Sequence, residues 1–149
     1  MAVDVLTEIV IARPVEVVAR YVSDPSNAPE WYANIESVEW QTPPPVALGS
    51  RMDFLAHFLG RRLAYTYEIV ELEPLQRLVM RTAQGPFPME TSYEWSTEGA
   101  DSTRMSLRNR GEPSGFAGLA APVMAAAMRR ANQKDLDRLR EILESNSPR

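Results

Sequence analysis

The sequence predicts an α+β fold: a seven-stranded antiparallel sheet curved around one long C-terminal helix, with two short helices after the first strand. Three observations predict it. From Gly49 to Arg108 the apolar residues recur with period two, and short turn signals interrupt them. From Phe116 the period becomes helical and stays so to about residue 144. No other long helical pattern exists, so this helix and one face of the sheet must bury each other. The 149 residues read as one domain, 1–149.

The elements follow in order. Residues 3–11 (VDVLTEIVI) are β-branched and alternate loosely, which predicts a strand. Pro14 suits the start of a helix, and Val15, Val18 and Val22 follow at helical spacing. Ser23-Asp24-Pro25-Ser26-Asn27 is a stop and turn signal. Ala28 to Asn34 predicts a second short helix carrying Trp31, and residues 35–41 a second strand. Pro43-Pro44-Pro45 has no N–H to give a ladder and predicts an extended loop.

Met52, Phe54, Ala56 and Phe58 then share one strand face, and Leu59-Gly60-Arg61 predicts a tight connection. Leu63, Tyr65, Tyr67 and Ile69 share the next face, until Pro74 breaks the strand. Leu78, Met80 and Thr82 oppose Arg77 and Arg81 across a fifth strand. After Gln84-Gly85-Pro86, residues Phe87, Met89, Thr91, Tyr93 and Trp95 alternate with polar neighbours, the cleanest amphipathic strand here. Thr103, Met105 and Leu107 mark the last strand. The helical stripe runs Phe116, Leu119, Ala120, Val123, Met124, Ala127, Met128 and Ala131, then Leu136, Leu139, Ile142 and Leu143. From 116 to 144 that is about 43 Å of helix. Pro122 predicts either that the helix starts near 121 or that it kinks there.

Composition removes several function classes. Hydrophobic residues are 44% and charged residues 24%, ordinary globular usage. The net charge of -4 argues against nucleic acid as the main partner, since binding would need a basic footprint. There is no cysteine, hence no disulfide, thiolate nucleophile or Cys-ligated metal. His57 is the only histidine, which excludes a multi-His metal site. No Gly-rich phosphate loop is present. No apolar run approaches the ~20 residues of a membrane span, and Asp4 and Glu8 interrupt the N-terminal apolar stretch. The expectation is a cytoplasmic protein with no metal, no cofactor and no stable membrane insertion.

Three segments carry a family resemblance. They are IVIARPVEVVARYVSDPSNAPEWYANIESVE (9–39) with Pro14, Asp24 and Trp31, YEIVELEPLQRLVMR (67–81), and LDRLREILE (136–144). In this order they resemble the helix-grip superfamily of START-like proteins, in particular its bacterial polyketide cyclase/dehydrase and lipid-transport branch. The resemblance implies the seven-stranded sheet wrapped around the helix, with an apolar cavity between them. It supplies no catalytic triad to carry over.

The candidate cavity residues are those on the inward faces. The sheet offers Phe54, Phe58, Tyr65, Tyr67, Met80, Met89, Thr91, Tyr93 and Met105, and the helix offers Val123, Met124, Ala127 and Met128. Read from the residues alone, such stripes are more often core. The resemblance tips the reading to a cavity, whose soft methionines accept variable apolar shapes. Small residues at Ala125 to Ala127 leave room for a ligand. Trp31 is read as an anchor over the cavity mouth. Inward Tyr and Thr hydroxyls need partners, supplied by protein, water or ligand. Asn109 is a candidate polar group at the mouth. His57, Glu90 and Glu94 alternate outward, and the two glutamates are expected to pair with arginines across strands.

The leading expectation is a binder of a small apolar or aromatic molecule of lipid, polyketide or isoprenoid type. An aromatic polyketide cyclase or dehydratase, aided by tyrosine hydroxyls, is the enzymatic alternative. A protein-interaction module with a vestigial cavity is the third. The inward faces as read offer no acid, Lys or His, which favours binding over catalysis.

Overall fold

The computed structural model describes residues 3–58, 60–85, 87–112 and 121–145. Along the chain run β1 (Val3–Ile11), α1 (Val15–Ser23), a 3-10 turn (Pro25–Asn27), α2 (Ala28–Trp31) and β2 (Ile35–Trp40). Then come β3 (Arg51–Phe58), β4 (Arg61–Glu73), β5 (Arg77–Gln84), β6 (Met89–Thr97), β7 (Thr103–Gly111) and α3 (Ala121–Ser145). The seven strands form one antiparallel sheet in the order β1-β7-β6-β5-β4-β3-β2. The meander of β2 to β7 therefore ends against β1. The expected α+β helix-grip architecture is the one observed.

Alternation decides which strand residues are inside. β1 is buried at every second position, from Val3 through Val5, Thr7 and Ile9 to Ile11. β4 departs from strict alternation. Its pairing with β5 shifts register between Thr66 and Tyr67 and again between Ile69 and Glu71. Thr66 and Tyr67 are thus both buried. The Thr66 hydroxyl donates to Asp53 at 2.6 Å.

Two local readings change, at Pro14 and at the end of the second helix, and the Asp24 turn is as expected. Pro14 is the N-cap of α1 rather than its first helical residue, and its carbonyl accepts from Val17 and Val18. Asp24 caps the 3-10 turn by accepting from the Ser26 N–H at 3.0 Å. The second short helix stops at Trp31, not Asn34, because Tyr32 is extended (φ -82°, ψ 124°). Tertiary contacts stop it: the Tyr32 hydroxyl reaches Tyr93, and the Ala33 N–H donates to Asp135 on α3.

The described course of α3 starts at Ala121, with Pro122 in its first turn. Phe116, Leu119 and Ala120 lie outside the described residues. Met124, Met128, Asn132, Asp135, Leu136, Leu139 and Leu143 are its buried residues. Its far end is locked by the β1–α1 junction. Arg13, 8% exposed, donates to the Leu143 carbonyl at 3.0 Å, where a cation also complements the helix terminus. The Ala12 N–H donates to Glu144 at 2.8 Å, and Thr103 donates to the Arg13 carbonyl at 2.8 Å.

The core is divided. A large cluster packs Leu136, Leu139 and Leu143 against the sheet and α1, with Trp31, Ile69 and Leu78 inside it. A smaller one joins Met124 and Met128 to Val3, Val5 and Leu63.

Candidate functional site

A pocket of about 120 Å³ lies between sheet and helix, walled by members of both clusters. Its sheet wall is the inward face of β3 to β6. Phe54 and Phe58 come from β3, Leu63, Tyr65 and Tyr67 from β4, Met80 and Thr82 from β5, and Met89, Thr91 and Tyr93 from β6. The helix closes it with Met124, Met128, Ala131 and Asn132. Tyr32, Asn34 and Ile35 form the end next to α2, while Asn109 and Gly111 come from β7. Gly111 is needed there: a Cβ would stand 2.7 Å from the Pro88 carbonyl oxygen. No Asp, Glu, Lys, Arg or His is among the described residues that line it.

Ten of the fourteen cavity candidates line this pocket, namely Phe54, Phe58, Tyr65, Tyr67, Met80, Met89, Thr91, Tyr93, Met124 and Met128, and so does Asn109. The structure places the other four elsewhere. Trp31 is 1% exposed and packs behind the pocket, its ring 4.0 Å from Tyr32 and 5.9 Å from Tyr93. Met105 is fully buried in the large cluster. Val123 is 53% exposed, and Ala127 is half-buried outside the lining. One residue is a turn of about 100° on a helix, so neighbours of Met124 and Met128 leave the buried stripe.

The polar part of the wall is a hydrogen-bonded chain from sheet to helix. The Tyr67 hydroxyl and Thr91 Oγ1 share one bond of 2.8 Å. Asn109 Nδ2 donates to the same Thr91 oxygen at 2.8 Å, and Asn132 Nδ2 donates to Asn109 Oδ1 at 2.6 Å. At the α2 end the hydroxyls of Tyr32 and Tyr93 share one bond of 2.6 Å. Tyr65 stacks on Phe54, centroids 5.5 Å apart.

Burial pushes the Tyr67 phenol up to about 12, with its bond to Thr91 opposing. Burial raises Tyr65, Tyr32 and Tyr93 as well. Every pocket tyrosine is therefore neutral at physiological pH.

Two residues that sequence reasoning passed over belong to this region. Asn132 and Asp135 sit at stripe positions of α3, one helical turn from the buried Met128 and Leu139. The signal was positional: a polar residue inside an apolar helical stripe faces the core whatever its type. Asp135 is 3% exposed, accepts from the Ala33 N–H at 3.0 Å, and burial pushes its carboxyl up to about 6. It stands close enough to Tyr32 and Tyr93 to raise both. An acid is thus present near the inward face, which the sequence reading did not provide.

The outward residues behave as surface chemistry. His57 pairs with Glu36 at 2.9 Å and is about half exposed. Glu90 is held by Arg81 and Arg110, at 2.7 and 2.5 Å. Burial would raise its carboxyl, but those two guanidiniums outweigh that and lower it. Glu94 pairs with Arg77. Among the described residues no cluster of three or more metal-ligating side chains occurs, and no helix is long and apolar enough to cross a membrane.

A family model described as "Polyketide cyclase / dehydrase and lipid transport" matches residues 2–144. No curated protein matches the chain. Solved structures do. The START superfamily protein from Mycobacterium smegmatis superposes with a TM-score of 0.84 at 16% identity, covering 97% of this chain and 99% of that one. The TTHA0849 protein of Thermus thermophilus gives 0.82 at 23%, covering 97% and 99%. The Zhui aromatase/cyclase of a Streptomyces species gives 0.78 at 18%, covering 97% and 94%. At these identities the likeness speaks for the fold.

Proposed function

The chain belongs to the polyketide cyclase/dehydrase and lipid transport family, and from that premise we propose that it binds a small apolar or aromatic molecule in the pocket between sheet and α3. One observation carries the reading. The wall joins aromatic rings and methionines to a few convergent Tyr, Thr and Asn groups and, among the described residues, includes no charged side chain. That is the usual make-up of a small-molecule site. The volume of about 120 Å³ is below the roughly 300–1,000 Å³ of drug-sized ligand pockets, so a one-ring or slender molecule fits better than a bulky lipid. We place the protein in the cytoplasm, with a small molecule rather than nucleic acid as its partner.

A cyclase or dehydratase is the second reading, and Asp135 favours it. A carboxyl pushed up to about 6 beside two hydrogen-bonded phenols is poised to give or take a proton near neutral pH. In that reading the Tyr32–Tyr93 pair meets a one-ring substrate, and the nearby Asp135 carboxyl acts on the pair through its charge.

Native mass spectrometry of the protein purified from its own cells tests the binding reading. The expected result is a small-molecule adduct lost on denaturation. An adduct that survives replacement of Ala131 by Trp, a pocket-lining helix position, would place the ligand elsewhere and end the proposal.

A further inference from the structure

Hydroxyl protons in this pocket can be counted. Tyr32 and Tyr93 have two hydroxyl protons between them and share one hydrogen bond, so one proton is left over. Tyr67 and Thr91 likewise have two protons and one shared bond. The Asn109 contact to Thr91 fills an acceptor position there and uses neither proton. Asn132 donates to Asn109 and keeps its own carbonyl oxygen as one acceptor. The wall is therefore rich in donors.

It is also without charge. Among the described residues no cationic side chain lines the pocket to meet an anion, and Asp135 is not part of its wall. Moving an ionised group here from water would cost far more than neutral donors return. The volume, about 120 Å³, is close to that of an apolar cavity known to hold a single benzene ring.

Resting on the binding reading above, we infer that the pocket takes an uncharged aromatic molecule of about one ring that turns an acceptor oxygen, of aryl-ketone type, to the Tyr32–Tyr93 hydroxyl pair. Carboxylates, amines and charged lipid headgroups are excluded from it.

The proton count makes an unusual prediction. Removing one hydroxyl of a pair leaves the other with its proton free, so the donor survives. Only removing both removes it. Four probes of like size test this by ligand-observed NMR titration: acetophenone, ethylbenzene, benzoate and benzylamine. The wild type is expected to bind acetophenone and ethylbenzene, with benzoate and benzylamine at least about tenfold weaker than acetophenone. Tyr32→Phe is expected to change acetophenone affinity less than about threefold. Tyr32→Phe/Tyr93→Phe is expected to weaken it about tenfold, the worth of one hydrogen bond, and to leave ethylbenzene within about twofold. Retained ethylbenzene binding also reports that the variant pocket is folded. Benzoate binding as tight as acetophenone overturns the inference, as does an unchanged acetophenone affinity in the double variant. If the double variant loses ethylbenzene too, the wild-type ranking of acetophenone over benzoate decides. Binding of no probe by the wild type overturns the binding reading itself.

Discussion

Asp135 is the residue whose placement carries the clearest pH dependence. Its carboxyl is pushed from 3.8 to about 6 on folding, mainly by burial. The native state then holds a proton that the unfolded chain has released. The stability this gives is fully present below about pH 4 and is lost as pH rises through 6. An Asn at 135 can still accept the Ala33 N–H and cannot ionise. Asp135→Asn should therefore stabilise the protein at pH 7 to 8, by at most about 3 kcal/mol for a shift near two units, and the gain should vanish near pH 4. Urea titrations of both proteins from pH 4 to 8 check this, and a gain independent of pH would reject the assignment. Asn132 offers a contrasting case. Asn132→Ala leaves Asn109 Oδ1 without its donor and should cost about 1–2 kcal/mol with little dependence on pH.

Among the elements, α3 depends on contacts at both ends, and they differ in kind. The far end is held by polar locks, Arg13 to Leu143 and the Ala12 N–H to Glu144. Arg13→Ala should cost about 2 kcal/mol, because a buried charge-assisted bond and a helix-end cation go together. Hydrogen exchange should show the loss first in the last turn of α3. The near end is held by Met124 and Met128 against Val3, Val5 and Leu63. Between them, Leu139 is fully buried, and Leu139→Ala should cost about 2–5 kcal/mol by leaving a cavity. Equal exchange rates along α3 in the Arg13 variant would show that the lock is not local.

The whole molecule is a sheet and a helix whose facing surfaces do not quite fill the space between them. Two α3 substitutions distinguish an occupied pocket from a packing defect. Ala131 lines the pocket and Ala127 does not. Ala131→Trp should abolish binding of a pocket ligand, and Ala127→Trp should leave it within about twofold. The thermal shift produced by saturating ligand reads the same difference. Ligand at 100 times its Kd adds about 2.7 kcal/mol, which is about 5–10 °C for a chain of this size. A shift retained by Ala131→Trp would move the site away from the helix.

Period alone determined most of this architecture. Alternation in β1, β3, β6 and β7, and the 3.6-residue stripe through Leu136 and Leu139, named the inward faces because burial follows from where Cβ points. The same logic put Tyr67, Met80, Thr91 and Tyr93 on one wall. It could not say how deep each lies: Met105 shares the inward face yet is sealed in the core, while Met89 lines the pocket. Depth comes from the curvature of the sheet and the path of the helix, which are properties of the assembled chain. Nor could it find that Asn132 joins Asn109, or that Asp135 stops α2 through Ala33. Those bonds join residues 23 and 102 positions apart, and a polar group inside an apolar stripe finds its partner only when the fold brings one within reach. The sequence by itself determined which faces meet; the tertiary structure decided where they leave a gap, and which hydroxyls line it.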